Sequence, residues 1–453
     1  MSGIAEILLR SGHQVFGSDL GASDTIENLK KLGARIQKGH SEELISETMP
    51  DVVVYSTAIP MNNPELVFAR QREIPIVRRA EMLGELMRLR RGIALAGSHG
   101  KTTTTGVTSL ILKEAALDPA VIIGGRFDAI GSNAAWGAGQ WLVAEADESD
   151  GSFLRLTPEI AVVTNVDREH MDHYGSFEAA MGAFEEFLDR LPFYGRAVLC
   201  SDCPNLRSLR KKLNKPRFWY GTDKNFDPDF WVETISLGSE SKFNLHRRKV
   251  SADGSASFEK ILSALIGVPG AHNVCNAAAA AIVALELEIA PAIIVSALAK
   301  FTGVRRRFER RGEIDGHVII EDYAHHPTEI RATIAACRTV FKSPPLVLFQ
   351  PHRFSRTRDC WDDFASAFSG VGAVVNLPIY AASEARETWV EAYDGIKFSE
   401  HLQEAEAHFC SRFDEAILKI QELSREKKFQ SSPILVMGAG DVSKAIPGLL
   451  KRD

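Results

Sequence analysis

Residues 93–106 read IALAGSHGKTTTTG, an apolar run that breaks into a glycine-rich turn, Gly97-Ser98-His99-Gly100-Lys101-Thr102-Thr103. The Walker pattern asks for a glycine five residues before the glycine of Gly-Lys-Thr, and that place holds Leu95. The context is nevertheless that of a phosphate loop. Ile93–Ala96 is β-rich, and Thr105–Ala115 reads as a helix. Glycines let backbone N–H groups approach phosphate oxygens, and a helix N-terminus favours anions. Lys101 then reaches toward β/γ-phosphates and the Thr102 hydroxyl toward Mg²⁺. The competing reading is a glycine-rich helix start with one surface lysine. Gly-Lys-Thr between a strand and a helix favours the phosphate.

Working outward, short β-rich runs recur at Asp51–Tyr55, Trp141–Ala144, Ile160–Thr164, Val318–Ile320, Leu346–Phe349, Ala373–Leu377 and Ile434–Met437. Helical patterns lie between many of them, which predicts an α/β protein with parallel sheets. The strand ends are the informative places. They run into EADESD, NVDREH, EDYAHH, QPHR and GAGD. In open α/β sheets ligands bind outside the carboxyl ends of the strands. Loops are polar in any case, but polarity alone does not predict this crowding of His and carboxylates. The segment from Pro204 to Lys260 reads as turns between short strands.

The chain has 453 residues, 45% hydrophobic and 25% charged, with a net charge of −6. That is an ordinary globular composition of two to four domains, without the basic excess of a nucleic-acid binder. Charged breaks at Arg88–Gly92 and Arg305–Gly312 divide it into 1–91, 92–308 and 309–453. No run approaches the ~18 apolar residues of a membrane helix, so no membrane insertion is expected. The opening, MSGIAEILLRSG, lacks the features of a signal peptide, and a cytoplasmic protein is expected. Six scattered cysteines include one CxxC pair, Cys200 and Cys203, without the second pair or the histidines that a zinc site needs. All six are read as reduced thiols.

Several further groups carry chemistry. Carboxylates of Glu145–Asp150 suit Mg²⁺, a hard cation. His170 is a weak candidate by chemistry alone, because imidazole is not a preferred magnesium ligand. His272, Asn273 and Asn276 open an alanine-rich helix. They can hydrogen-bond an adenine or simply begin a tightly packed helix. In the cluster Arg305, Arg306, Arg307, Arg310 and Arg311, part is read as a solvated face and one member as a phosphate clamp. Arg353 and Arg356 are suited to grip a small carboxylate.

Together these residues resemble one family. GSHGKTTTT, VAEADESDGSF, VVTNVDREHMDHYG, GAHNVCNAAAA, GVRRRFE, EDYAHHPTEI and QPHRFSRTRD occur in the order seen in the Mur ligases, over nearly the whole chain. That family uses a shorter G-T-x-G-K-T loop, with Ser98 here in place of threonine. The resemblance implies three domains: a Rossmann-like UDP-sugar domain, a central ATP-binding domain with a P-loop ATPase-type parallel sheet, and a Rossmann-like amino-acid domain. It implies ATP-dependent joining of L-alanine to the lactyl carboxylate of UDP-N-acetylmuramate through an acyl phosphate, a step of peptidoglycan precursor synthesis. It assigns Lys101 to the β/γ-phosphates, Thr102 to a first Mg²⁺, and Glu145 with His170 to a second. Gly97, Ser98, His99, Gly100 and Thr103 belong to the ATP loop, His272, Asn273 and Asn276 to adenine, Arg307 to the γ-phosphate and Asp322 to ribose. Tyr323, His325, Arg353 and Arg356 line the amino-acid site, and Ser18, Asp19, His40 and Ser56–Pro60 belong to the UDP-sugar domain. A monomer or homodimer is expected.

Two departures accompany the resemblance. The family opens with a strand and a turn like G-I-G-G-x-G-M-S-G, and this chain starts at Met1-Ser2-Gly3, so the first strand is expected to be missing through a mis-assigned start. Ala381-Ala382-Ser383-Glu384 stands for the more usual A-A-G-E. The rival readings are a muropeptide-recycling ligase that adds a preformed peptide, and a non-catalytic binding remnant.

Overall fold

A computed structural model describes residues 1–21, 23–56, 59–127, 132–382 and 384–451. Ser383, and residues 57–58 within Ser56–Pro60, lie outside the described residues. In the first part, strands β1 (Phe16–Asp19), β2 (Arg35–Lys38), β3 (Val53–Tyr55) and β4 (Ile76–Arg78) are each followed by a helix. They pair in parallel as β1 with β2 and β3 with β4, in two separate sheets. The helices start where the sequence caps them. Asn63 accepts the Glu65 N–H at 2.9 Å, with Pro64 at the first helical position, where its missing N–H costs nothing.

The central sheet holds β5 (Arg91–Ala96), β6 (Ala120–Phe127), β7 (Ser132–Ala135), β8 (Trp141–Glu145), β9 (Ile160–Val163), β10 (Arg196–Cys200), β11 (Arg217–Gly221), β12 (Phe230–Ser236), β13 (Ser241–Val250) and β14 (Ala256–Ile266). Their order is β14-β13-β12-β11-β10-β9-β5-β8-β6-β7. The inner strands are parallel, whereas β12–β14 and the β6–β7 pair are antiparallel. Ile93, Ala94, Leu95 and Ala96 are wholly buried, as are Ala161 to Val163. Parallel strands covered on both faces read as continuous apolar runs, which is why these were legible. Pro204–Lys260 turns out differently from the expected short strands. It contains a helix, Pro204–Ser208, and the start of a long antiparallel ribbon whose last two strands have 10 and 11 residues.

Chain order reverses at β5, which lies between the later strands β8 and β9. This is a topological switch point, where crossovers leave a crevice at the strand ends. The helix Lys101–Glu114 leaves it, rich in threonines that are poor helix formers. Their hydroxyls are satisfied locally, Thr104 on the Gly100 carbonyl (2.9 Å) and Thr105 on the Lys101 carbonyl (2.8 Å). The helix Ala271–Glu286 packs against it, and its run Ala277 to Ala281 is fully buried.

The last part has β15 (Glu309–Ile314), β16 (His317–Asp322), β17 (Leu346–Phe349), β18 (Ala373–Asn376), β19 (Glu406–Phe409) and β20 (Ile434–Met437). Their order is β15-β16-β20-β17-β18-β19, parallel except for β15. The segments after β16 and β17 face the one after β9, where the Thr328 hydroxyl donates to Asp167 at 2.7 Å and Arg353 to Asp172 at 3.3 Å.

Candidate active site

The phosphate loop is built by backbone that only glycine adopts easily. Gly97 and Gly100 have φ of 129° and 84°. A Cβ on Gly97 would stand 2.2 Å from Thr164 Oγ1, and one on Gly100 2.6 Å from Asn276 Oδ1. The loop is fastened to the end of β9. Ser98 N–H donates to the Asn165 carbonyl (3.1 Å), His99 N–H to Asn165 Oδ1 (2.9 Å), and the Thr164 hydroxyl to the His99 carbonyl (2.5 Å). Gly97→Ala is therefore expected to destabilise the chain by more than about 2 kcal/mol, from strain plus a clash with a hydrogen-bonded hydroxyl. A denaturant midpoint equal to that of the parent would contradict this.

Lys101 does not point to solvent. Its Nζ donates to the Gly97 and Ser98 carbonyls at 2.7 and 3.1 Å and lies 2.8 Å from Glu148 Oε2. Burial alone would lower its pKa, but Glu148, Asp147 and Glu145 outweigh it and hold the ammonium charged. Glu148 is pushed up to about 7, by burial first and against the pull of Lys101.

The expected magnesium ligands fall into two groups. The Thr102 hydroxyl donates to Glu145 Oε1 (2.9 Å), and Glu145 also accepts the Gly124 N–H (2.6 Å). His170 stands with Glu148 and Glu169, its Nε2 at 3.8 and 3.9 Å from their carboxylates. Glu148 falls among the carboxylates of Glu145–Asp150 read as suiting Mg²⁺, whereas Glu169 was not singled out from the sequence, although it lies in a strand-end loop that drew attention.

Most of the expected nucleotide residues surround one cavity of about 460 Å³. His99, Gly100, Thr102, Thr103, His272, Asn273, Asn276, Arg307 and Asp322 all line it. Gly97, Ser98 and Lys101 lie in the loop beneath. Asn273 Nδ2 is held by the Pro269 carbonyl at 2.7 Å, and Asn276 by Asn273. Arg307 Nη1 donates to Glu329 Oε1 at 3.3 Å, and its guanidinium lies 5.2 Å from the centre of the Tyr323 ring. Asp322 accepts the Phe308 and Ala324 N–H groups at 2.8 and 2.7 Å. Burial pushes its pKa up to about 6, although Arg307 pulls the other way.

The ring of His99 turns to the C-terminal loops. Its Nε2 lies 3.1 Å from Asp167 Oδ2 and its Nδ1 3.5 Å from Glu329 Oε1, with the His326 ring 4.9 Å away. Burial would lower its pKa, but Asp167, Glu329 and Glu169 raise it to about 10. A histidine raised above its unfolded value stabilises fully below about pH 6.5 and loses that contribution as pH rises through about 10. His99→Gln is expected to lower Tm by on the order of 3 °C at pH 6. The deficit should shrink steadily toward pH 10, and one that is constant with pH would sink this assignment.

Of the residues expected to line an amino-acid site, Arg353 and Arg356 reach across the boundary of the central and last parts. His325 Nδ1 faces the Tyr323 carbonyl (2.9 Å) and Glu329 Oε2 (3.2 Å). Arg356 is not the free fork expected. Its Nε is 3.3 Å from Glu169 Oε1, and its Nη1 donates to the His352 carbonyl at 3.2 Å. Arg353 Nη1 pairs with Asp172 at 3.3 Å. Both partners come from the loop and short helix after β9. In the first part, the Ser18 hydroxyl and His40 Nδ1 are 2.8 Å apart, and Asp19 accepts the Gly21 N–H at 2.8 Å. With Ser56 just beyond β3, these residues sit at the carboxyl ends of β1, β2 and β3.

Comparison with known proteins gives a consistent result. Family models described as Mur ligase family, catalytic domain; Mur ligase middle domain; and Mur ligase, glutamate ligase domain match residues 1–91, 95–284 and 306–440. A UDP-N-acetylmuramate–L-alanine ligase of Thiobacillus denitrificans is 47% identical, the alignment covering 100% of this chain and 96% of that one. The crystal structure of a UDP-N-acetylmuramate–alanine ligase from Thermotoga maritima superposes with a TM-score of 0.78 at 27% identity, over 99% of this chain and 95% of that one. A murein peptide ligase from Psychrobacter arcticus shares the fold, with a TM-score of 0.68 at 22% identity over 99% and 95% of the two chains.

Proposed function

The chain belongs to the Mur ligase family, and we propose that it joins L-alanine to the lactyl carboxylate of UDP-N-acetylmuramate with cleavage of ATP to ADP and phosphate. The observation that carries this reading is the cavity of about 460 Å³ between the phosphate loop and the carboxyl edge of the last sheet. Full-length identity to alanine-adding ligases supports the choice of acceptor over a preformed peptide. The domain limits 1–91, 92–308 and 309–453 go with this proposal.

A carboxylate is a poor electrophile and must be activated. Its oxygen attacks the γ-phosphorus in line, ADP leaves, and an acyl phosphate forms. The amine of L-alanine adds to that carbonyl, and the tetrahedral intermediate expels phosphate. Charge develops on the transferring phosphoryl group, so fixed cations aimed at it lower the barrier. Lys101 is such a cation, immobilised by two carbonyls and Glu148. Arg307 supplies the second, from the linker between the central and last sheets. The oxygen donors of Thr102 and Glu145, 2.9 Å apart, suit a hard divalent ion, as do Glu148 and Glu169 beside His170. Thr102, Glu145 and His170 are assigned to hold two Mg²⁺ ions, which when bound neutralise phosphate charge. Asn273, Asn276 and His272 receive the adenine and Asp322 the ribose. Tyr323, His325, Arg353 and Arg356 receive the amino acid, and Ser18, Asp19, His40 and Ser56 the UDP-sugar. No helix among the described residues is long and apolar enough to cross a membrane. All six cysteines are unpaired, which suits the cytoplasmic location we assign.

Competition between acceptors tests the choice of substrate. With UDP-N-acetylmuramate and ATP saturating, L-alanine is expected to be consumed in preference to L-alanyl-γ-D-glutamyl-meso-diaminopimelate. Preference for the tripeptide would establish the recycling reaction instead.

A further inference from the structure

The linker that carries Arg307 is clamped on both sides of that residue. Arg306 and Phe308 both have left-handed backbone, with φ of 60° and 51°. Side chains other than glycine's resist this region, so the surroundings must over-determine it. The clamp comes from three consecutive residues at the end of β16. Tyr323 N–H donates to the Arg306 carbonyl at 2.7 Å, and Asp322 Oδ2 accepts the Phe308 N–H at 2.8 Å. Glu321 Oε1 lies 2.9 Å from Arg306 Nε, and its other oxygen accepts from Arg311. Glu321 is only 1% exposed, so its charge requires these two guanidinium partners. Arg306 Nη2 also donates to the Gly438 and Gly440 carbonyls beyond β20, at 2.9 and 3.2 Å.

The neighbours of Arg307 are therefore fixed to two adjacent strands of the last sheet. Its own side chain lines the nucleotide cavity, beside Phe308. We infer that Arg306, Glu321 and Asp322 are positioning residues that aim Arg307 and make it one rigid body with the sheet that carries the acceptor site. The inference rests on the assignment of Arg307 to the γ-phosphate. It gives the buried Glu321, for which the reaction has no direct use, a function through the linker.

A double-mutant cycle tests it. Arg306→Ala and Glu321→Gln are each made alone and together with Arg307→Ala, and kcat for phosphate release is measured at saturating substrates. Each single change is expected to lower kcat by about tenfold to a hundredfold, the size of loss that small misplacement of a catalytic group causes. In the Arg307→Ala background the same changes are expected to cost less than about twofold, because the group they aim is gone. Arg306→Lys keeps bulk and charge without the planar fork, and carries the same cycle if the alanine variant fails to fold. Equal losses in both backgrounds would overturn the clamp while leaving Arg307 in place. An Arg307→Ala variant with unchanged kcat would overturn the γ-phosphate assignment and the clamp's purpose with it.

Discussion

Lys101→Met is expected to slow acyl-phosphate formation by at least about a thousandfold, the scale on which a preorganised cation acts in phosphoryl transfer. The lysine is fixed before any nucleotide arrives. Its ammonium spans two loop carbonyls and Glu148, at 2.7, 3.1 and 2.8 Å. Methionine keeps the length of the side chain and removes the charge. The cost in stability should depend on pH, for a reason that lies in Glu148. Burial already pushes that carboxyl up to about 7, against the opposing pull of Lys101. Without the lysine it rises further and takes up a proton at neutral pH. A carboxyl whose folded pKa is raised favours the folded chain least once pH exceeds that pKa. The variant should therefore lose more Tm at pH 9 than at pH 6. Rapid-quench single turnovers with labelled ATP measure the rate, and thermal melts at the two pH values measure the rest. A folded variant with more than about a tenth of the parent rate would contradict the role of Lys101.

Arg307→Ala is expected to lower kcat by about a thousandfold, at the lower end of what an arginine acting on a transferring phosphoryl group contributes. The KM for ATP should change far less, because the loop and the residues proposed to receive adenine remain. The fold should also tolerate the change. Glu329, the carboxylate that Arg307 pairs with, keeps His99 at 3.5 Å and His325 at 3.2 Å as neighbours. Truncation thus does not strand a buried carboxylate without a partner, which would be strongly destabilising. Steady-state kinetics at varied ATP decide this. A large rise in KM with kcat preserved would mean that Arg307 binds nucleotide and does not stabilise the transfer.

What could be read from the sequence, and what could not, follows from how local each signal is. The glycine-rich turn between β5 and the helix Lys101–Glu114 was legible because its glycines, lysine and threonine are contiguous and follow an apolar run. The buried parallel strands were legible because both faces are covered. The ribbon of β12–β14 was not, because its strands alternate between buried and exposed residues and resemble loop segments. Glu329 was hidden by a local role. It closes a capping box with His326 at the start of Pro327–Val340, a sufficient reason for a glutamate at that place. Only the fold brings it to His99, 230 positions earlier in the chain. Glu169 and Arg356 meet in the same non-local way, as does His170 with Glu148. The arginines after Val304 read in part as a solvated face. In the structure Arg306 and Arg311 converge on a buried glutamate, and Arg307 enters the cavity.

The central claim is that this chain couples two substrates through a phosphorylated intermediate. Phosphate release from Mg-ATP by the purified chain, with UDP-N-acetylmuramate and L-alanine each present or omitted, tests it most directly. Sustained release is expected only when both are present, because the carboxylate must be phosphorylated and the amine must then displace the phosphate. Sustained release that ignores either substrate, or none when both are supplied, would contradict it.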